Sequence, residues 1–273
     1  MTDHATISSL HAFFLAGVIS SSYVLSVYIS RLIAEPRPPL WRNDPAVIKA
    51  RSLLASASTA LSCGLVYLTV KANVNGDGTT TLEYLGIPHK SFALIPEAWK
   101  AYFIVPALFL GPLYSTFLDG ALPFQRNWDF KTDLVSRFTT WEGIRNYLMA
   151  PITEEVTYRA CVLSVYRLAA YTRKTMIWVA PCWFGLAHIH HGFETYKRMG
   201  KTSSALRTAL MSTIFQFIYT TVFGWLCSFL FLRTGSIIVP TIAHIFCNVM
   251  GFPAITWELK QFPSHRICDY PRV

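Results

Sequence analysis

Charge is scarce in this chain: 14% of its 273 residues are charged against 52% hydrophobic, and the mean hydropathy is positive. Soluble domains carry about 25% charged residues, so a water-soluble globule of this length is excluded and a membrane class follows. A polar interval long enough to fold separately is also missing, because apolar runs continue from about Leu10 to Trp257. Residues 1–273 therefore read as one membrane-embedded domain. Cysteine is sparse and scattered, at 63, 161, 182, 227, 247 and 268, with no C-x-x-C pair, which excludes a disulfide framework and a thiolate metal centre. Acidic residues are fewer than basic ones, 15 against 24, giving a net charge of +9. The basic residues lie between apolar runs and form no arm or stripe, so they read as loop charge at a membrane and imply no nucleic-acid partner. The first run, Leu10 to Ile33, lacks a basic leader region and a small-residue cleavage site, which makes it a retained helix. No internal repeat is present.

A spanning helix needs about 20 mostly apolar residues. Seven segments meet that length, at approximately 10–33, 52–72, 99–118, 146–169, 175–191, 206–232 and 236–257. The expected fold is an all-α, polytopic membrane helical bundle of about seven transmembrane helices. Pro36, Pro38 and Pro39 mark the first loop as extended, and Asn75-Gly76-Asp77-Gly78 marks the second as a turn. Lys and Arg are retained on the cytoplasmic side of spanning segments. With the N-terminus outside, sixteen fall on the cytoplasmic side, including Lys49, Arg51, Arg145, Lys197 and Arg207, and six on the opposite side. The excess predicts a lumenal N-terminus.

Each charged residue at a spanning-helix centre costs about 2.5 kcal/mol or more, so it asks for a partner or a function. The fourth segment holds three in Pro151-Ile152-Thr153-Glu154-Glu155-Val156-Thr157-Tyr158-Arg159. Glu155 and Arg159, four apart, meet on one helix face and read as structural support. Glu154 points about 100° away and needs a partner from another helix. The fifth segment offers one in Phe184-Gly185-Leu186-Ala187-His188, where Gly185 and Ala187 permit close helix approach. Topology places Glu154 and His188 toward the same side, where a carboxylate can deprotonate a water that an imidazole aligns. The seventh segment adds His244 and Asn248 at i, i+4 on one face, two donors suited to an oxyanion if they face the same cavity.

Blander readings stand beside these. A lone intramembrane His is often only a hydrogen-bonded packing residue, and His190 and His191 read as interfacial. Cys161 and Cys247 lie near the expected site, but a thiol buried in apolar surroundings is usually inert. The same polar residues allow a zinc alternative, with Glu154, His188 and His244 as ligands and an open position for water. No His-Glu-x-x-His helix supports it. A transporter or scaffold that binds a proton or ion at these groups is the non-enzymatic alternative.

These three motifs, in order, resemble the Ras-converting CaaX endopeptidases of the endoplasmic reticulum, which belong with bacterial abortive-infection and bacteriocin-protection membrane proteins. Glu154-Glu155 with Arg159 is similar to the family's Glu-Glu-x-x-x-Arg, Phe184 with His188 to its Phe-x-x-x-His, and His244 with Asn248 to its His-x-x-x-Asn. Arg233 to Ile237, Pro240, and Cys247 to Pro253 are similar to the eukaryotic branch in particular. The resemblance is strong over the motif-bearing core, 140–255, and extends over the first three spans only as a pattern. It implies an intramembrane endopeptidase of glutamate type, without a metal or other cofactor, that removes the -aaX tripeptide after the Cys is prenylated. Glu154 and His188 carry over as the water-activating pair, and His244 and Asn248 as oxyanion stabilisers. The implied partners are membrane lipid and farnesylated or geranylgeranylated CaaX proteins such as small GTPases. The implied location is the endoplasmic reticulum membrane, with the site reached from the cytosol. Family members usually have an eighth span, and Gln261 to Val273 is too short and too polar to supply one, so a truncated or variant form is expected.

Overall fold

The computed structural model describes residues 5–34, 43–88, 99–253 and 260–261, and among these the protein is helical without a strand. The expectations placed on Pro36 to Pro39 and on Phe262 to Val273 lie outside the described residues. The first helix, α1, spans Ser9–Ala34, and α2 spans Pro45–Val74. Asp44 caps α2 by accepting from the Ala46 N–H at 2.8 Å, and Pro45 at the first helical position has no N–H to leave unpaired. Asn75 closes the helix in the left-handed region, at φ 50°. Asp77 then caps the short α3, Gly78–Tyr84. Its bonds from the Thr80 backbone and hydroxyl hold the Asp77 carboxyl below its usual range. The Asn-Gly-Asp-Gly turn expected from sequence is thus a helix stop followed by a helix start.

The third expected segment is two helices, α4 (Trp99–Leu108) and α5 (Leu110–Leu118), bent by 66°. Pro106 and Pro112 lie on either side of the break at Phe109 and remove backbone donors there. A short helical stretch, α6, covers 130–139 and leads into α7, which runs helical from 141 to 168. Within α7 the turns Ile144–Met149 and Val156–Cys161 widen to π-helical pitch. Pro151 sits just after the first wide turn, where its missing N–H and bulky ring disfavour regular α geometry.

The fifth expected segment departs most from a continuous span. It is a staircase of three short helices, α8 (Arg173–Trp178), α9 (Cys182–Ala187) and α10 (His190–Arg198). Pro181 interrupts the first junction, and at the second the His188 N–H bonds to Gly185 O at 3.0 Å, three residues back instead of four. The long α11 follows, Ser203–Thr234, capped by Thr202 and stopped by Gly235 at φ 66°. The last helix, α12, is Ile238–Met250. By length and composition α1, α2 and α11 can cross a membrane, and the bent α4–α5 pair makes a fourth. The other expected spans are helical but shorter or interrupted. This is an all-α membrane protein, and large apolar side chains such as Leu10, Leu53, Leu61 and Met211 face outward, as lipid-facing helices require.

The core forms where α1 and α2 pack along α7, while α9 and α11 close the other side. Hydroxyls stitch the seam. Tyr23 Oη meets Thr153 Oγ1 at 2.9 Å, and Thr59 Oγ1 meets Thr157 Oγ1 at 3.1 Å. One turn further, Cys63 Sγ lies 3.7 Å from Cys161 Sγ. The constant offset between these last two pairs shows that α2 and α7 run parallel and in register. Small residues set the approach of α11. A Cβ at Gly185 would collide with the Thr221 hydroxyl, and one at Gly224 would sit 2.7 Å from Pro181 Cβ. The close approach expected at Gly185 is therefore present.

Gly185→Val is expected to destabilise the fold by about 1–3 kcal/mol through overpacking. Gly64→Ala, on a helix face with open space around it, should be neutral or mildly stabilising. Thermal unfolding of the two detergent-solubilised variants checks the contrast, which fails if both shift alike.

Candidate active site

The middle of α7 carries two adjacent acids that the helix sends to different environments. Glu155 and Arg159 are fully buried, and Glu155 Oε1 lies 3.2 Å from Arg159 Nη1, as their spacing predicts. The Arg159 guanidinium stacks 4.4 Å from the Phe184 ring centroid, a cation–π contact that offsets part of its desolvation. The same Glu155 oxygen accepts a hydrogen bond from His244 Nδ1 of α12 at 2.7 Å. One carboxylate therefore joins α7 to α12 and holds the His244 ring. That bond fixes the proton on Nδ1 and turns Nε2 toward Glu154, whose Oε2 is 3.8 Å away. Phe223 of α11 covers the His244 ring edge-on at 4.8 Å.

Glu154 and His188 face one cavity of about 160 Å³, whose wall also includes Tyr23, Thr153 and Tyr158. His188 ends α9, and its Nδ1 donates to Phe184 O at 2.7 Å. This leaves the Nε2 lone pair as the ring's acceptor, while the Phe184 ring packs edge-on at 4.6 Å. The cavity is polar enough and large enough to hold water. A carboxylate and a neutral imidazole acceptor on one wet wall can together take a proton from water and orient what remains.

Each predicted residue has a definite place. Glu154 and His188 share the cavity, and Glu155 and Arg159 brace it from below. His244 lies behind Glu154 and does not line the cavity. Asn248, one turn further along α12, is exposed, and its Nδ2 donates to Asn146 O at 2.9 Å. In this arrangement the two expected oxyanion donors are occupied with Glu155 and with the wide turn of α7. Neither Cys161 nor Cys247 lines the cavity, and the five described cysteines are free.

Sequence reasoning missed several neighbours. His190 and His191, read as interfacial, line the cavity with Glu194, because the staircase folds the start of α10 back over it. Among the described residues, His190, His191 and Glu194 are the set whose donor atoms converge, within 4.8 Å of one another. Glu154, His188 and His244, the three ligands of the zinc alternative, do not converge in this way. Arg51 of α2 and Arg145 of α7 also line the cavity, although sequence placed both only among loop charges. Their signal was their position within a turn or two of the helix starts. The Glu155–His244 bond spans 89 residues and leaves no local signal.

Residues 136–250 match the family described as type II CAAX prenyl endopeptidase Rce1-like. The chain is 32% identical over 258 residues to a probable CAAX prenyl protease 2 of Schizosaccharomyces pombe, covering 94% of this chain and 87% of that one. It is 34% identical over 253 residues to CAAX prenyl protease 2 of Homo sapiens, covering 91% of this chain and 72% of that one. With CAAX prenyl protease 2 of Saccharomyces cerevisiae the identity is 29% over 256 residues, with coverage of 86% and 78%. No solved structure matches the chain.

The Glu155 junction generates a stability prediction. Glu155→Gln and His244→Ala each break a buried charged contact, and each should cost about 3–5 kcal/mol. The double variant should cost much less than the sum, since both remove one shared interaction. Unfolding midpoints of the three variants in detergent measure the coupling, and simple additivity would refute a shared junction.

Proposed function

The chain belongs to the type II CAAX prenyl endopeptidases, and from that premise we propose that it removes the -aaX tripeptide from farnesylated or geranylgeranylated CaaX proteins, small GTPases among them. The observation that carries the mechanism is the shared cavity wall of Glu154 and His188, with His188 fixed as an acceptor at Nε2. A water held between them loses its proton to the Glu154 carboxylate and attacks the carbonyl of the prenylated Cys. Collapse of the tetrahedral adduct expels the amine of the first aliphatic residue, which takes the proton back from Glu154. The reaction is of glutamate type and draws on no metal.

In this reading His244 and Asn248 stabilise the oxyanion. The Glu155 bond holds the His244 ring by Nδ1, so His244 donates to the oxyanion from Nε2 as the doubly protonated ring, and Asn248 exchanges its bond with Asn146 O for the substrate oxygen when the substrate arrives. The proposed location is the endoplasmic reticulum membrane, with the cavity reached from the cytosol. The excess of Lys and Arg on that side of the spans supports the orientation. The prenyl chain partitions into lipid at about 0.8 kcal/mol per buried CH₂, so the bilayer concentrates the substrate beside the protein.

Membranes containing the chain should cleave a farnesylated CaaX peptide, in the presence of a chelator, and should leave the unprenylated control intact. Glu154→Gln should abolish that cleavage while the protein accumulates normally. Cleavage by Glu154→Gln at the wild-type rate would sink the assignment. For the oxyanion role, Asn248→Ala should lower kcat by about 100-fold with KM nearly unchanged. A raised KM at constant kcat would place Asn248 in ground-state binding instead.

A further inference from the structure

An enzyme that always removes three residues needs a mark three residues beyond the bond it cuts, and the free C-terminal carboxylate is the one group every such substrate carries there. Resting on the peptidase reading above, we propose that Arg51 and Arg145 form a subsite for that carboxylate and so set the cleavage position. Both line the same cavity as Glu154 and His188.

Helix register supplies the ruler. Thr59 faces Thr157 and Cys63 faces Cys161 across the parallel α2–α7 seam, at a constant offset. Continued toward the helix starts, that register puts Arg51 level with Met149, which also lines the cavity. Arg51 thus stands about 7.5 Å of helix rise from Glu154, and Arg145 about 13.5 Å. Three extended residues span about 10 Å. The carboxylate of an -aaX tail whose first amide lies at Glu154 therefore reaches the interval between the two arginines.

The chemistry agrees with the distance. A guanidinium presents paired N–H donors that match the two oxygens of a carboxylate. Arg145 is braced for this by amide oxygens, its Nε donating to Asn146 Oδ1 at 2.9 Å and its Nη1 to Asn43 Oδ1 at 3.2 Å. Among the described residues, two acids line the same cavity. Glu154 is at the cutting end, and Glu194 Oε2 is 3.5 Å from His191 Nδ1.

The test compares a farnesylated CaaX peptide ending in a free acid with the same peptide ending in a primary amide. The full chain in membranes is expected to favour the acid by on the order of 10- to 100-fold in kcat/KM, chiefly through KM. Arg51→Gln and Arg145→Gln should each reduce that preference to a few-fold, by lowering kcat/KM for the acid peptide more than for the amide. Arg51→Lys should keep part of it. The acid-to-amide ratio is internal to each preparation, so it does not depend on how much protein folds, and if one variant is lost the other and the wild-type ratio decide. Equal cleavage of acid and amide by the wild type, or an undiminished preference in both Gln variants, overturns the subsite while leaving the peptidase reading intact. Cleavage of neither peptide by the wild type overturns both.

Discussion

The Glu155 carboxylate is the constraint on which the site depends. It takes the charge of Arg159 within its own helix and the Nδ1 hydrogen bond of His244 from another, and all three side chains are buried. A buried ion is expensive alone and is tolerated when an opposite charge lies beside it. This junction therefore fixes the distance between α7 and α12 as well as the orientation of the ring between them. Glu154, one residue earlier, inherits its position from that clamp and remains available to the cavity. Adjacent acids of identical chemistry are thus separated into a buried anchor and a cavity-facing group by helix rotation alone.

The wide turns of α7 serve the same division. A regular α-helix would repeat its faces every 3.6 residues, but the π turns before and after Pro151-Ile152-Thr153-Glu154-Glu155 re-aim the flanking side chains. Arg145 and Glu154 consequently face one cavity, although regular geometry would set them on opposite sides. Asn248 holds the first wide turn through Asn146 O, which couples α12 to the cavity twice, once at each end of the reactive stretch.

Much of this was legible in the sequence because it is local or because it concerns scarcity. Charged residues in apolar segments stand out, and the Glu155–Arg159 spacing specifies its own contact. The helical membrane class and the family both follow from such features. Contacts that depend on how helices cross were not legible. Glu154 and His188 line one cavity, but the nearer imidazole to Glu154 is His244, and no sequence spacing encodes that. The continuous fifth span was expected from hydropathy, which averages over Pro181 and cannot register a change of direction. The cavity roles of His190, His191, Arg51 and Arg145 were hidden for the same reason, since each lies near a helix end whose fold-back is a tertiary fact.

The staircase of α8 to α10 has a further consequence for solvent. Every break in a helix leaves peptide groups without their regular partners, and hydrocarbon offers them none, so such breaks persist only beside protein or water. At this break the Phe184 and Ala187 carbonyls are taken by the ring nitrogens of His188 and His190. The interruption thus meets its freed carbonyls with polar rings that themselves line the cavity. A change of direction that would strand peptide groups in hydrocarbon is thereby tolerated within an apolar bundle, and it is what brings His188, His190 and His191 to one wall.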